Sequence, residues 1–326
     1  MKGGGLGEFG RIRHFFAPLA GPGGLALRDD AALIPCEAGR QFVLTVDAIV
    51  AGVHYLPDDP PDLVARKLLR VNLSDLAAMG ARPRHYLLTT ALPPAIGDDW
   101  VEKFARGLAE DQRLYGIDLL GGDSVATGGP AVLSLTAIGD VANGAEIRRS
   151  GARQGDQIWV TGTIGDAFLG LALLRGGYPS LAADVRAALI RRFQLPEPRV
   201  ELGPGLAGLA HAMLDVSDGL VADLGHICEA SNAGATISLP QLPLSPAAQQ
   251  LAAADPDLPA RFATAGDDYE LLFTAPPNAA DQIRQLSQEL GLPITAIGRV
   301  EKRAGVRLVD GAGKEVSLVE TGYRHF

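Results

Sequence analysis

Aspartate is the residue that recurs where this chain could do chemistry. Asp29 and Asp30 precede Ala31-Ala32-Leu33, and Asp47 closes the apolar stretch Phe42-Val43-Leu44-Thr45-Val46. Asp75 lies in Asn72-Leu73-Ser74-Asp75-Leu76, and Asp123 follows Gly121-Gly122. Asp215 and Asp218 flank Val216-Ser217, and Asp267 and Asp268 follow Gly266. A carboxylate at the mouth of a strand is costly to bury alone. Mg²⁺ suits such a place, being a hard ion with oxygen ligands that is usually shared with substrate phosphates. Any single Asp is better read as a helix cap or turn former. Five or six at strand ends, with glycines beside several, favour a metal site.

Glycine supplies the complementary feature. Leu119-Leu120-Gly121-Gly122-Asp123-Ser124 reads as a strand running into a glycine turn, where backbone N–H groups face a phosphate. The spacing is neither that of the P-loop nor that of the dinucleotide fingerprint. Gly162-Thr163-Ile164-Gly165-Asp166 reads as a tight connection rather than a ligand loop. No Gly-x-Ser-x-Gly elbow is present, and the six histidines lack metal-pair spacing. No catalytic nucleophile or general base is therefore expected. His54 draws notice because it follows the acid-bearing strand. Arg148 and Arg149 suit phosphate, with a solvated surface as the plainer reading.

The elements that must position these residues alternate between strand and helix patterns. Strands are expected at 42–46, 86–92, 117–120, 131–138, 157–161, 235–239, 269–275, 294–300 and 306–309. Helices are expected at 62–78, 100–115, 166–174, 182–193, 199–213, 218–231 and 278–290. Asp98 or Asp99 is expected to cap the helix at 100–115, and Asp215 or Ser217 the one at 218–231. Thr136-Ala137-Ile138-Gly139 echoes Thr295-Ala296-Ile297-Gly298, which suggests a duplicated architecture. The stretch Asn143 to Gly155 is glycine- and arginine-rich and marks a crossing between two domains, 1–142 and 143–326. The fold class is mixed α/β.

Bulk properties agree with a globular, two-domain chain of 326 residues, 47% hydrophobic and 21% charged. There are 38 acidic and 29 basic side chains, a formal net charge of -9. That balance argues against a nucleic-acid or anionic-membrane partner. Cys36 and Cys228 cannot build a disulfide framework and read as thiols in a reducing compartment. The N-terminus lacks a signal-peptide pattern, and no apolar run approaches the ~20 residues of a membrane span. The cytoplasm is the expected location.

Longer motifs then become recognisable. Val71-Asn72-Leu73-Ser74-Asp75-Leu76-Ala77-Ala78-Met79-Gly80-Ala81-Arg82-Pro83 resembles the matching segment of bacterial thiamine-monophosphate kinases. So do Gly7-Glu8-Phe9, Gly52-Val53-His54-Tyr55, Gly121-Gly122-Asp123-Ser124 and Arg149-Ser150-Gly151-Ala152. The second half resembles them through Asp215-Val216-Ser217-Asp218-Gly219-Leu220, Gly266-Asp267-Asp268-Tyr269-Glu270-Leu271 and Gly322-Tyr323-Arg324-His325-Phe326.

The resemblance implies a two-domain aminoimidazole ribonucleotide synthetase-like fold whose N-terminal domains pair in a homodimer. It implies transfer of a phosphoryl group from ATP to thiamine monophosphate, with several Mg²⁺ ions. By the same match, Asp30, Thr45, Asp47, Asp75, Asp123, Asp215 and Asp218 resemble metal-binding positions. Tyr115, Gly122, Asp123, Arg149 and Ser217 resemble nucleotide contacts. His54, Asp267 and Tyr323 resemble positions that contact thiamine monophosphate. This chain departs from the pattern at Arg28, where glycine is common, at Val46, where a hydroxyl is common, and at Asp267, where glutamate is usual. Two other readings are a superfamily enzyme with a different acceptor and a non-catalytic nucleotide- or cation-binding protein.

Overall fold

The computed structural model describes residues 8–22, 34, 37–178, 180–318 and 321–323. It divides into two compact units: residues 1–76 with 81–143, and residues 77–80 with 144–326. Asp29, Asp30, Arg28 and Cys36 lie outside the described residues.

The first unit starts with a short helix α1 (Glu8–Arg11) and then alternates strands with two long helices. These are β1 (Arg40–Val50), α2 (Pro61–Ala78), β2 (Arg82–Leu92), α3 (Asp98–Tyr115), β3 (Asp118–Ala126) and β4 (Val132–Ala142). The strands form one sheet in the order β1-β4-β2-β3, so β1 and β3 are its edges. β1 is not the buried strand ending at Asp47 that the apolar run Phe42–Val46 suggests but an edge strand that alternates and continues to Val50: Phe42, Leu44 and Val46 are exposed, whereas Val43, Thr45 and Asp47 turn toward the opposite, partly covered face. Register carries the same alternation across the sheet, since Val46 pairs with Thr136 and Thr136 with Leu87, itself exposed.

Helix α3 buries Val101, Phe104, Ala105 and Leu108 at helical spacing. Gly97, not an aspartate, is its N-cap; Asp98 instead pairs with Arg11 at 2.7 Å. An acid in the first turn still suits the helix dipole. Gly116 ends the helix in the left-handed conformation at φ 63°, its N–H donating to the Gln112 carbonyl. Helices α2 and α3 approach so closely at Gly107 that a Cβ there would lie 2.3 Å from the Asp62 carbonyl oxygen. A buried ion pair locks them: Arg70 Nε donates to Asp111 at 2.6 Å, and Arg66 Nε to the same carboxylate at 2.9 Å.

The second unit holds β5 (Gln157–Thr161), α4 (Asp166–Leu174), α5 (Ala183–Gln194), α6 (Leu202–Gly205), β6 (Ala212–Asp215), α7 (Leu220–Ala230) and β7 (Gly234–Ser238). It continues with α8 (Pro246–Ala254), α9 (Leu258–Thr264), β8 (Leu271–Ala275), α10 (Ala280–Leu290), β9 (Ile294–Glu301) and β10 (Gly305–Val309). Its six-stranded sheet runs β10-β7-β9-β5-β8-β6. Both faces are covered. Ile158, Val160, Leu214 and Leu272 join one apolar cluster, and Trp159, Met213, Leu271 and Phe273 join another. That explains the continuous apolar runs in these strands.

Three further expectations need correction. The segment 199–213 is not one helix: it gives a single turn at Leu202–Gly205 and then enters β6. Gly203, Pro204, Gly205 and Gly208 make a longer helix costly, and Ala212–Asp215 pairs with β8. The Gly121-Gly122-Asp123 stretch is not a turn but lies inside β3. Gly122 is required there because a Cβ would meet the Leu88 carbonyl oxygen at 1.7 Å. Helices α8 and α9, which lie between Ser245 and Ala265, were not expected. The two echoing tetrapeptides do fall in β4 and β9, and in each the glycine faces a neighbouring strand's carbonyl.

Candidate active site

In the first unit, helix α2 is hydrogen-bonded to β1 through two of its side chains. Arg66 and Arg70, four residues apart, hold one side of the helix to α3. Its other side presents Asn72 and Asp75. The buried Asn72 amide accepts the Asp47 N–H at 3.0 Å and donates to the Leu68 carbonyl at 2.9 Å. The Asp75 carboxylate accepts the Thr45 hydroxyl at 2.6 Å. Thr45, Asp47 and Asp75 are thereby gathered. Burial, and then the Asp75 charge, pushes the Asp47 carboxyl up to about 6. Two carboxylates and a hydroxyl are the hard-oxygen set that Mg²⁺ takes when substrate phosphates complete its shell. Among the described residues, no group of three or more His, Cys, Asp or Glu side chains gathers as a self-sufficient metal cage.

His54 lies in the turn after β1. Its Nδ1 accepts the Val50 N–H at 3.1 Å, and its carbonyl accepts from the buried Lys67 ammonium at 2.9 Å. In the neutral ring the proton then sits on Nε2. Asp123 is not brought to Asp47. It pairs in register with Thr89 on the exposed face of β3, whereas Asp47 lies in the row of Leu135, Leu88 and Gly122 on the edge strand opposite. Three strand spacings, roughly 14 Å, separate the two edges. The Tyr115 ring is covered by the Arg70 guanidinium, 5.4 Å from its centroid.

In the second unit, β6 ends at the buried Asp215, and a turn through Val216-Ser217-Asp218-Gly219 leads into α7. This turn is bound by backbone to the other predicted residues. Asp267 N–H donates to the Ser217 carbonyl at 2.8 Å, and Tyr323 N–H to the Asp218 carbonyl at 2.9 Å. Tyr269 N–H donates to Val216, and Val216 N–H to Glu270. Close approach demands glycine here. A Cβ on Gly266 would meet the Ser217 carbonyl oxygen at 2.3 Å, and one on Gly322 would meet Ala222 Cβ at 2.5 Å. Asp267 and Tyr269 have φ of 71° and 49°, left-handed values uncommon outside glycine. Ser217, Asp218, Asp267 and Tyr323 thus form one cluster. Arg149 is exposed on a separate loop, whose Gly151 and Ala152 N–H groups donate to the Ser231 hydroxyl.

Two supports of this cluster escaped the sequence reading. Glu270 is fully buried; its carboxylate accepts from Thr161, Arg192 and Arg199 at 2.5 to 2.8 Å. Asp223, in the first turn of α7, accepts the Asp218 and Gly219 N–H groups at 3.1 and 3.0 Å. It does the work expected of Asp215 or Ser217, since the α7 N-cap is Gly219 with no side-chain cap. Burial pushes the Asp223 carboxyl up to about 7. The buried Asp268 accepts from Gly165 N–H at the start of α4, and burial raises it well above the usual range. Cys228 is buried, its thiol pushed up to about 11.

Residues 28–141 match the AIR synthase related protein N-terminal domain, and residues 153–311 the C-terminal domain. The chain is 43% identical over 323 residues to a thiamine-monophosphate kinase of Caulobacter vibrioides, covering 98% of this chain and 90% of that one. It superposes on the crystal structure of thiamine-monophosphate kinase from Stenotrophomonas maltophilia K279a with a TM-score of 0.81, 42% identity and coverage of 89% and 91%. It also superposes on AaThiL complexed with AMPPCP and TMP, with a TM-score of 0.78, 32% identity and coverage of 98% and 97%. The chain belongs to the AIR synthase related proteins and, within them, to the thiamine-monophosphate kinase family.

The Asp47–Asp75 pair gives a pH-dependent expectation. An unfolded Asp titrates near 3.9, and folded Asp47 near 6. Between those values the folded state holds the proton and the unfolded state does not, so stability from this group falls as pH rises through that window. Near pH 7 the metal-free Asp47→Asn variant is therefore expected to melt above wild type, and added Mg²⁺ to stabilise wild type more than the variant. Thermal melts in chelator and in Mg²⁺ check this; a variant melting below metal-free wild type contradicts it.

Proposed function

We propose that this protein carries out in-line transfer of the ATP γ-phosphoryl group to thiamine monophosphate. The activity, giving ADP and thiamine diphosphate, follows from membership of the family over nearly the whole chain. AaThiL was solved with AMPPCP and TMP together, which supports a nucleotide and a thiamine phosphate as the two substrates here. The observation that carries the site reading is the cluster of Ser217, Asp218, Asp267 and Tyr323 around one turn.

The acceptor is itself a phosphate. One of its oxygens forms the new bond to the γ-phosphorus as the bond to ADP breaks, so no strong base is required. The obstacle is the approach of two polyanions. Thr45, Asp47 and Asp75 fit Mg²⁺ in the first unit, and Asp215 and Asp218 supply carboxylates in the second. Bound there, Mg²⁺ ions would screen the phosphates and stabilise charge on the transferring group. Asp30 and Asp123 are assigned to metal by the family pattern, and Gly122, Arg149 and Ser217 to nucleotide phosphates, with Tyr115 beside the nucleotide. His54, its Nδ1 engaged, offers Nε2–H as a donor to thiamine monophosphate rather than a base. Asp267 and Tyr323 are assigned to the same substrate by the family pattern, the ring suited to a cationic thiazolium. Reactants of this kind support a cytoplasmic location. No described helix is long and apolar enough to cross a membrane.

A homodimer fits the sheet of the first unit. Phe42, Leu44 and Val46 are 41%, 63% and 62% exposed, and Leu87 and Val125 share their face. Such a patch marks an interaction surface, and a second copy would cover it.

Purified protein with ATP, Mg²⁺ and either thiamine monophosphate or free thiamine tests the reaction. Thiamine diphosphate is expected from the monophosphate and not from free thiamine; no product from the monophosphate contradicts the assignment. Leu44→Asp is expected to shift the mass measured by light scattering from dimer toward monomer. An unchanged mass contradicts pairing through this face.

A further inference from the structure

Asp223 belongs to none of the groups assigned above, yet the turn at 217–219 is wrapped around it. Its residue is buried, and one carboxylate oxygen, Oδ2, accepts two successive backbone N–H groups, those of Asp218 and Gly219. The Asp223 N–H donates in return to the Gly219 carbonyl at 2.9 Å. Gly219 has φ 129°, and a Cβ there would lie 2.8 Å from the Thr264 carbonyl carbon and oxygen, so the turn has little room to adopt another path.

The consequence lies in the groups this leaves on offer. With the Asp218 and Gly219 N–H groups committed to Asp223, the turn presents the carbonyls of Ser217 and Asp218 to its neighbours. Those carbonyls receive the Asp267 and Tyr323 N–H groups. We propose that Asp223 is the positioning residue of this site: its carboxylate sets the turn that aims Asp218 and, through the same turn, fixes the backbone of Asp267 and Tyr323. The inference rests on the reading above that Asp218 faces Mg²⁺ and that Asp267 and Tyr323 face thiamine monophosphate. Asp223 touches neither reactant and acts only through the turn.

Hydrogen bonds to an ionised carboxylate are roughly twice as strong as neutral ones. Asp223→Asn keeps the size and one oxygen that can still reach both N–H groups, but never carries the charge that strengthens those bonds. Loss of a group that orients metal ligands typically costs about 10-fold in metal affinity or more. The expected result is a rise of about that size in the Mg²⁺ concentration for half-maximal turnover, together with a higher KM for thiamine monophosphate. A merely structural role would lower the amount of active enzyme, and so kcat, while leaving both constants in place. Asp223→Glu, which keeps the charge, is expected to recover part of the loss.

Steady-state kinetics with Mg²⁺ and thiamine monophosphate varied separately, on protein shown folded by circular dichroism, make the test. If Asp223→Asn does not fold, Asp223→Glu decides in its place: a raised Mg²⁺ requirement and KM support the assignment. Wild-type values for both constants in the folded variant overturn it. Wild-type protein with no turnover of thiamine monophosphate would instead sink the functional reading itself, so the two failures are distinguishable.

Discussion

Two like charges held close together are the constraint from which the first unit is best understood. Asp47 on β1 and Asp75 on α2 face each other across a strand edge and a helix. Left alone, the pair is unfavourable; burial, and then the Asp75 charge, leaves the Asp47 carboxyl holding its proton to about pH 6. The surroundings nevertheless keep the pair in place. Asn72 pins the Asp47 backbone, Thr45 pins the Asp75 carboxylate, and the buried Arg70–Asp111 pair prevents α2 from backing away. A fold that stabilises an otherwise costly arrangement is the usual mark of a functional site. A divalent cation held there would relieve the repulsion, and a phosphate sharing it would complete its shell.

The second unit solves a different problem by different means. Its candidate residues come from three distant parts of the chain, near 217, 267 and 323, and main-chain hydrogen bonds rather than side chains join them. That requires backbones to touch, hence Gly266, Gly219 and Gly322, and it places Asp267 and Tyr269 in left-handed conformations. Such strain persists only where the surroundings over-determine it. Here the buried Glu270, clamped by Thr161, Arg192 and Arg199, and the buried Asp223 provide that support.

Much of this was legible in the sequence, for identifiable reasons. Helices with a clear apolar stripe, such as α3, and strands of alternating or continuous apolar residues, such as β1 and β8, declare themselves by period. The acids were legible by type, and the family motifs assigned them roles, but their expected place at strand ends holds for Asp215 alone of four: Asp47 and Asp123 lie inside β1 and β3, and Asp75 inside α2. Tertiary pairing was not. Nothing local says that Ala212–Asp215 leaves a helix-like context to join β8, or that Gly121 and Gly122 stay within a strand because β2 passes so near. Nor does any local signal reveal Asp223, which looks like an ordinary helical acid until the turn folded over it is seen. The distance between Asp47 and Asp123 is likewise a property of strand order, which spacing along the chain does not encode.

The central claim is that Asp75 serves the reaction through Mg²⁺ and not through folding. The most direct measurement is the Mg²⁺ dependence of thiamine diphosphate formation in wild type and in Asp75→Asn, with melting temperatures taken alongside. The account predicts a variant that stays folded, loses most of its turnover and needs more Mg²⁺ for what remains. A folded variant with wild-type turnover at the same Mg²⁺ concentrations would contradict it.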